Sequence, residues 1–498
     1  MNIQTKKGSA AQVPCDLLVV GIVEEAKRLD GLAAEIDTET DGFLSRVLED
    51  LNFKGKTGSV MVVQTPEKFS AKRIALIGLG KAPALTLETS RIAAAIAFEA
   101  AKLWRAKTVV LPLIGLRKGV GVKQIAKAMV EGARLAAYRF VRYKKEENGS
   151  EPETVFIVAP NGNDARQAEI GIEQGELASQ GTIFARDLVN TPSVHMTPAD
   201  LVKAAKSLIK KKGLICVVVH DKKELEKMGA GGILGVAQGS DHDPFLVHLV
   251  YKPKVKAKKR VAIVGKALTF DSGGLSLKLA DSMMTMKCDM AGAAAVLGLF
   301  SVIEELAPNA EVHGIFAACE NMPSGKAIRP GDILTLMNGK TLEILNTDAE
   351  GRVTLADALT YAVKQEPSVI IDLATLTGAC MVALGEEITG LMSNNEALAE
   401  KLKCAAVEAG ELVWELPLEK RYKKEIESEV ADYKNIPSTR YGGALTAGLL
   451  LEEFVEGKPW AHLDIAGPAF TEKPLNAYAK KGGTGHGVRT LIEYLRGI

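Results

Sequence analysis

The sequence predicts an α/β protein of two domains. A smaller N-terminal α/β domain is joined by a long helix to a C-terminal α/β/α domain with a central mixed, largely parallel sheet. Three observations carry this expectation. At 498 residues and 53.1 kDa the chain exceeds the roughly 250–300 residues at which single cores stop growing. Strand and helix signals alternate on both sides of one proline-free helical stretch. Glycine is plentiful at 47 residues and aromatic residues are scarce at 5%, which suits tight strand–helix turns better than an all-β binding module.

The elements follow in chain order. Short apolar runs at 17–23, 60–64, 74–78 and 109–113 read as buried strands, and 86–102 and 122–139 have Ala-rich helical spacing. A strand at 155–159 stops at the turn Pro160-Asn161-Gly162-Asn163, which closes a first domain over 1–163. The lysine-rich stretch 143–148 reads as a solvated loop. From 164 to 189, Ile170, Ile172, Leu177, Ile183 and Leu188 recur at helical spacing without a proline, the pattern of a linking helix. Thr197-Pro198 begins another helix, with threonine as the cap and proline in the first turn. Strands at 216–220, 246–251, 261–264, 312–317, 369–373 and 460–465 then alternate with helices at 291–306, 353–365 and 397–409, placing a second domain over 190–498.

Composition excludes several classes. Sixty-two basic against sixty-one acidic residues leave a charge of +1, so no whole-chain footprint points to nucleic acid. Six cysteines without a Cys-x-x-Cys argue against a disulfide framework and fit a reducing, cytoplasmic compartment. The start breaks its apolar run at Asp16 and makes a poor signal peptide, and no window of about twenty apolar residues stands out. Glycine clusters at Gly78-Leu79-Gly80, Pro323-Ser324-Gly325-Lys326 and 482–487 lack the remaining residues of a nucleotide-binding fingerprint and read as turns. The run 252–260, six of nine residues basic, reads as a solvated loop.

The chemistry concentrates between Gly265 and Arg352. Lys266 and Asp271 follow the strand at 261–264, and Ser272-Gly273-Gly274 and Lys278 come next. Asp289 precedes an Ala-rich helix, and Asp348, Glu350 and Arg352 stand directly before another. Singly, each has a structural explanation: Asp289 as a helix cap, Thr347 with Glu350 as a capping box, Lys278 and Arg352 as surface partners. Jointly those explanations fail, because none accounts for acidic and basic residues collected in glycine-rich, otherwise uncharged turns. Carboxylates able to bridge suit two divalent cations. A lysine can join them once its amine is neutral. The three motifs themselves contain no histidine, unlike His-rich hydrolytic zinc sites.

The segments 264–274, 286–290 and 346–352 resemble the leucyl aminopeptidase family, also called cytosol aminopeptidases. The heptapeptide Asn346-Thr347-Asp348-Ala349-Glu350-Gly351-Arg352 looks like that family's signature without a mismatch. Further similar stretches lie at 188–193, 371–378, 460–467 and 485–489, so the likeness spans most of 180–498. One departure is Ala267, where the family commonly has glycine.

The resemblance implies a metal-dependent aminopeptidase that releases N-terminal amino acids, leucine and other apolar residues favoured, by attack of a metal-bridging water. Lys266, Asp271, Asp289 and Glu350 would hold one metal, manganese or zinc. Asp271, Asp348 and Glu350 would hold the second, with Asp271 and Glu350 bridging. Lys278 and Arg352 would be the catalytic pair, with bicarbonate at Arg352 as general base, and Leu376 would help frame the site. A cytoplasmic homohexamer acting on peptides with free N-termini is also implied. Two other readings compete: a dinuclear phosphohydrolase, and a DNA-binding accessory protein, the latter little supported by the net charge.

Overall fold

A computed structural model describes residues 1–25, 28–115, 119–145, 151–209 and 213–498. The chain divides into two compact units, Met1–Ser179 with Pro474–Lys480, and Gln180–Lys473 with Lys481–Ile498. The boundary falls inside a helix, Gly162–Asn190, that covers the proline-free stretch and ends just before Thr191-Pro192.

The first unit is built on β1 (Asn2–Lys7), β2 (Leu17–Val23), β3 (Val60–Gln64), β4 (Arg73–Gly80), β5 (Thr108–Pro112) and β6 (Thr154–Ala159). Their order is β1-β6-β5-β2-β4-β3, parallel throughout except for the antiparallel edge pair of β3 and β4. Alternate residues of β2 enter different cores. Leu17 and Val19 pack with Ala93, Ala97, Ile125 and Met129, whereas Leu18 and Val20 pack with Ile36 and Leu44. A strand buried on both faces needs apolar residues at every position, which is why it reads as an unbroken run. Helices Gly31–Glu39 and Phe43–Asp50 escape the sequence reading, being only nine and eight residues long. Tyr143–Lys145 are exposed as expected of a solvated loop, and the rest of that stretch lies outside the described residues.

The second unit carries β7 (Ile215–His220), β8 (Phe245–Tyr251), β9 (Lys259–Asp271), β10 (Ala310–Asn321), β11 (Ile333–Thr335), β12 (Thr341–Glu343), β13 (Val369–Ala374), β14 (Ile388–Ser393), β15 (Leu412–Glu415), β16 (Tyr433–Lys434) and β17 (Trp460–Asp464). Eight of them form one sheet in the order β15-β14-β17-β13-β9-β10-β8-β7. Its centre, β17-β13-β9-β10, is parallel, and antiparallel pairs flank it on both sides. A small sheet, β11-β12-β16, stands apart. Parallel strands deliver their C-terminal ends to one edge, here Asp271, Asn321, Ala374 and Asp464.

Two strands outrun their apolar stretches: β9 continues past Val264 to Asp271, and β10 past Ala317 to Asn321, paired with each other. Hydrophobic patterning sees the part of a strand in the core and misses its polar end. The basic run is a loop, 252–258, between β8 and β9. Thr197 caps Pro198–Ser207 as expected, its N–H and hydroxyl both meeting Asp200 Oδ2. Among the described residues one stretch, Ala280–Leu306, is long and apolar enough by composition to cross a membrane. Its most apolar window is 83% buried within the protein, as befits a core helix.

That core helix, Ala291–Leu306, meets the sheet through glycine. A Cβ on Gly292 would lie 2.1 Å from the Leu373 carbonyl oxygen and 2.7 Å from the Lys266 nitrogen. Gly292→Ala must therefore push the helix off β13 and β9. It is expected to lower stability by about 1–3 kcal/mol, the usual cost of overpacking, read as a lower urea midpoint. An unchanged midpoint would show that this approach is not tight in solution.

Candidate metal centre

β9 supplies Lys266 and Asp271. Five residues apart on a regular strand, they would point to opposite faces. The pairing with β10 shifts register between Cys319 and Glu320. Leu268 faces Cys319 and Phe270 faces Glu320, leaving Thr269 as an extra residue. This bulge reverses the alternation and returns Asp271 to the face of Lys266.

Lys266 Nζ lies 2.8 Å from Asp289 Oδ1, 2.9 Å from Glu350 Oε1, and donates to the Thr375 carbonyl oxygen at 2.9 Å. Asp271 Oδ1 accepts from the Gly273 amide at 2.9 Å and from Asn321 Nδ2 at 2.8 Å, while Oδ2 meets Lys278 Nζ at 2.8 Å. Lys278 reaches on to Asp348 Oδ1 at 2.5 Å. The turn that brings Lys278 back needs glycine. Gly273 has φ +86°, and a Cβ there would sit 2.5 Å from the Ser276 carbonyl oxygen. Arg352 is buried, its Nη1 donating to the Asn435 carbonyl oxygen at 2.8 Å. The structure thus brings together Lys266, Asp271, Lys278, Asp289, Asp348 and Glu350, with Arg352 two residues along the same helix from Glu350.

The simple capping explanations do not hold. Met290, not Asp289, is the cap of Ala291–Leu306. Thr347 Oγ1 donates to the Gly273 carbonyl oxygen and accepts from the Ser276 amide, and Glu350 opens the helix Glu350–Val363. There the positive end of the helix dipole favours its carboxylate. His313, the histidine lying between the motifs, is bonded to His248 and Glu311.

Electrostatics decide what the cluster can hold. Counted fully ionised, the four carboxylates Asp271, Asp289, Asp348 and Glu350 outnumber the two ammonium groups, Lys266 and Lys278, by two charges, and the crowding favours either a bound cation or a proton. Burial and the neighbouring Asp271 push Glu350 up to about 8. Asp289 rises to about 6, chiefly through burial, against the opposing pull of Lys266. Burial also raises Asp348. For Lys266 burial works against the charge, but Asp289, Glu350 and Asp271 outweigh it and hold the ammonium above its ordinary value. Lys278 is raised likewise by Asp271 and Glu350.

Asp289 Oδ2 and Glu350 Oε2 are buried without a hydrogen-bond partner. Oxygens of Asp271, Asp348 and Glu350 lie within 4.8 Å of one another. Unpaired buried carboxylate oxygens around excess negative charge fit divalent cations, and an oxygen-rich set with one amine suits hard to borderline ions.

Sequence reasoning missed the supporting residues Asn321, Thr375, Asn435 and Asp464. Asn321 and Thr375 carried a weak signal, as polar residues where apolar strand runs end. Asn435 had none, coming from a distant irregular stretch. Leu376, expected to frame the site, is fixed by its amide on Asp464 Oδ1 at 3.2 Å.

Without a bound cation, Lys266 is the counter-ion of Asp289 and Glu350. Lys266→Met is expected to destabilise chelator-treated protein by about 3–5 kcal/mol, the range for removing one partner of a buried pair, measured by urea unfolding. A loss below about 1 kcal/mol would show that the carboxylates take up protons instead of relying on Lys266.

Comparison with known proteins identifies the family. Residues 183–492 match the catalytic domain of the cytosol aminopeptidase family and 19–147 match its N-terminal domain, where the sequence shows no comparable motif. A probable cytosol aminopeptidase of Alkaliphilus oremlandii is 44% identical over the full length of both chains. That of Aquifex aeolicus is 45% identical over 93% of this chain and 92% of its own. A tomato leucine aminopeptidase mutant superposes with a TM-score of 0.89 at 37% identity, covering 100% of this chain and 97% of its own. The bottromycin maturation enzyme BotP, in complex with Mn, gives 0.84 at 35% identity, covering 97% and 99%. The chain belongs to the cytosol (leucyl) aminopeptidase family, metal-dependent hydrolases that remove amino acids from the N-termini of peptides.

Proposed function

We propose that this aminopeptidase favours leucine and other apolar N-terminal residues and works with two divalent cations, manganese or zinc. Lys266, Asp271, Asp289 and Glu350 serve one cation. Asp271, Asp348 and Glu350 serve the other, so that Asp271 and Glu350 are shared. The observation that carries this reading is the convergence of four carboxylates with unpaired buried oxygens on Asp289 and Glu350. The manganese complex of the similar BotP supports that choice of metal. Bound at these residues, a dication pair supplies Lewis acidity and brings the pKa of water toward neutrality.

The side chains have separate tasks. Lys266 Nζ would join the ligand set as a neutral amine, its proton passing to solvent, a state that an adjacent dication would favour. Lys278 keeps its proton and donates to the scissile carbonyl oxygen as negative charge grows there. Arg352, anchored through Nη1 on Asn435, offers other guanidinium donors to a bicarbonate ion that serves as general base. The same reading makes the protein a cytoplasmic homohexamer, checked by sedimentation.

The test is hydrolysis of leucine amide before and after chelation, with manganese or zinc added back. Activity should vanish and return, and N-acetyl-leucine amide should stay uncut. Efficient cleavage of the acetylated compound would overturn the assignment.

Glu350→Gln and Asp348→Asn each remove one charge from the ligand set and should abolish turnover with the fold retained. Wild-type metal content and turnover in either variant would remove that carboxylate from the site. Lys278→Ala should lower kcat by about 10²–10³, the loss seen when one oxyanion donor is removed, with KM little changed. An unchanged kcat would exclude Lys278 from the chemistry.

A further inference from the structure

Thr375 follows directly on β13 and touches two of the proposed ligands at once. Its hydroxyl donates to Asp289 Oδ1 at 2.7 Å, and its carbonyl oxygen accepts from Lys266 Nζ at 2.9 Å. Those two ligands come from different elements, Lys266 from β9 and Asp289 from the turn before helix Ala291–Leu306. With Oδ1 taken by the hydroxyl and by Lys266, Asp289 Oδ2 is the oxygen left buried and unpaired. A hydroxyl suits this place, since it fixes the carboxylate without adding a second positive charge beside the cations.

Thr375 is itself held. Asp464, fully buried at the end of β17, accepts from the Leu376 amide at 3.2 Å and the Thr377 amide at 3.5 Å through Oδ1, and from the Thr377 hydroxyl at 2.7 Å through Oδ2. The pairing of β13 with β17 continues past the strands, with the Ile465 amide donating to the Ala374 carbonyl oxygen at 2.8 Å. Asp464 thus fixes Leu376 and Thr377, and the backbone carries that anchoring one residue back to Thr375, which bonds Asp289 and Lys266.

We propose that Thr375 is a positioning residue of the metal centre, its hydroxyl orienting Asp289 and its loop fixed by Asp464. Partners that orient a ligand typically contribute 10–100-fold to metal affinity. The proposal rests on Asp289 being a ligand, and the experiment separates the two ideas.

Manganese is titrated into chelator-treated full-length protein without substrate, and the affinities of both sites are read by electron paramagnetic resonance. Asp289→Asn tests the ligand reading. Thr375→Val removes the hydroxyl while keeping side-chain volume and the backbone carbonyl, and Thr375→Ser restores the hydroxyl. Affinity should fall ~10–100-fold in Thr375→Val and return close to wild type in Thr375→Ser. Asp464→Asn should lower it in the same direction from a position that contacts none of the proposed ligands. If Thr375→Val does not fold, Thr375→Ala carries the same expectation. Loss of affinity in Asp289→Asn with wild-type affinity in the Thr375 variants overturns the positioning role. Wild-type affinity in Asp289→Asn overturns the ligand assignment beneath it. A serine variant as weak as valine would show that restoring the hydroxyl does not restore affinity, and would overturn the assignment of the loss to that hydroxyl.

Discussion

The catalytic unit depends on one electrostatic constraint, the burial of carboxylates around two lysines. A carboxylate taken out of water costs several kcal/mol unless it is paired and hydrogen-bonded. Here four are brought together, and Lys266 and Lys278 each bridge two of them at 2.5–2.9 Å. Much of the surrounding architecture serves that grouping. The parallel centre of the sheet brings strand ends to one edge. Gly265 and Gly292 let helix Ala291–Leu306 approach close enough to deliver Asp289. The first turn of helix Glu350–Val363 places Glu350 where the helix dipole favours a negative charge.

Behind the ligands lies a second buried polar layer between β13 and β17. Asp372 Oδ2 accepts from Trp460 Nε1 at 2.6 Å, and Oδ1 pairs with His462 Nδ1 at 2.6 Å, all three residues being fully buried. Burial alone would disfavour the imidazolium, but Asp372 outweighs it and raises the His462 pKa. Asp464, two residues on, fixes the loop at 375–377. Strand register thus sets the polar layer, and the polar layer sets the loop. A slip of one residue in β17 would turn this whole series to the other face.

The ligand types were legible in sequence because they cluster in short motifs beside glycines and next to helix starts. The strands and long helix were legible where burial on both faces, or a proline-free repeat, imposes a clear pattern. What could not be read is geometry that depends on pairing. Lys266 and Asp271 share a face only because Thr269 is an extra residue opposite β10, and nothing in their five-residue spacing announces a bulge. Thr375, Asn321 and Asn435 are ordinary polar residues whose importance comes from what they reach. Helices Gly31–Glu39 and Phe43–Asp50 were missed because they are short, at nine and eight residues, and give a repeat little length in which to show.

Lysine as a ligand, as proposed for Lys266, would have a consequence for folding. A site built from carboxylates alone would have no internal counter-ion without its cations, and would have to take up protons or lose stability. Lys266 changes this, because the same nitrogen that offers a lone pair to a cation carries a proton in its absence. In the cation-free arrangement its ammonium sits 2.8 and 2.9 Å from the carboxylates it would share a metal with. Lys278 does the same for Asp271 and Asp348. Internal counter-ions of this kind let the chain fold around its site before loading and keep the ligands grouped for the incoming ions. The two unpaired oxygens, on Asp289 and Glu350, mark what the lysines leave unsatisfied. On the proposed ligand set, loading a cation would release the Lys266 proton to solvent, so that apparent metal affinity would rise with pH.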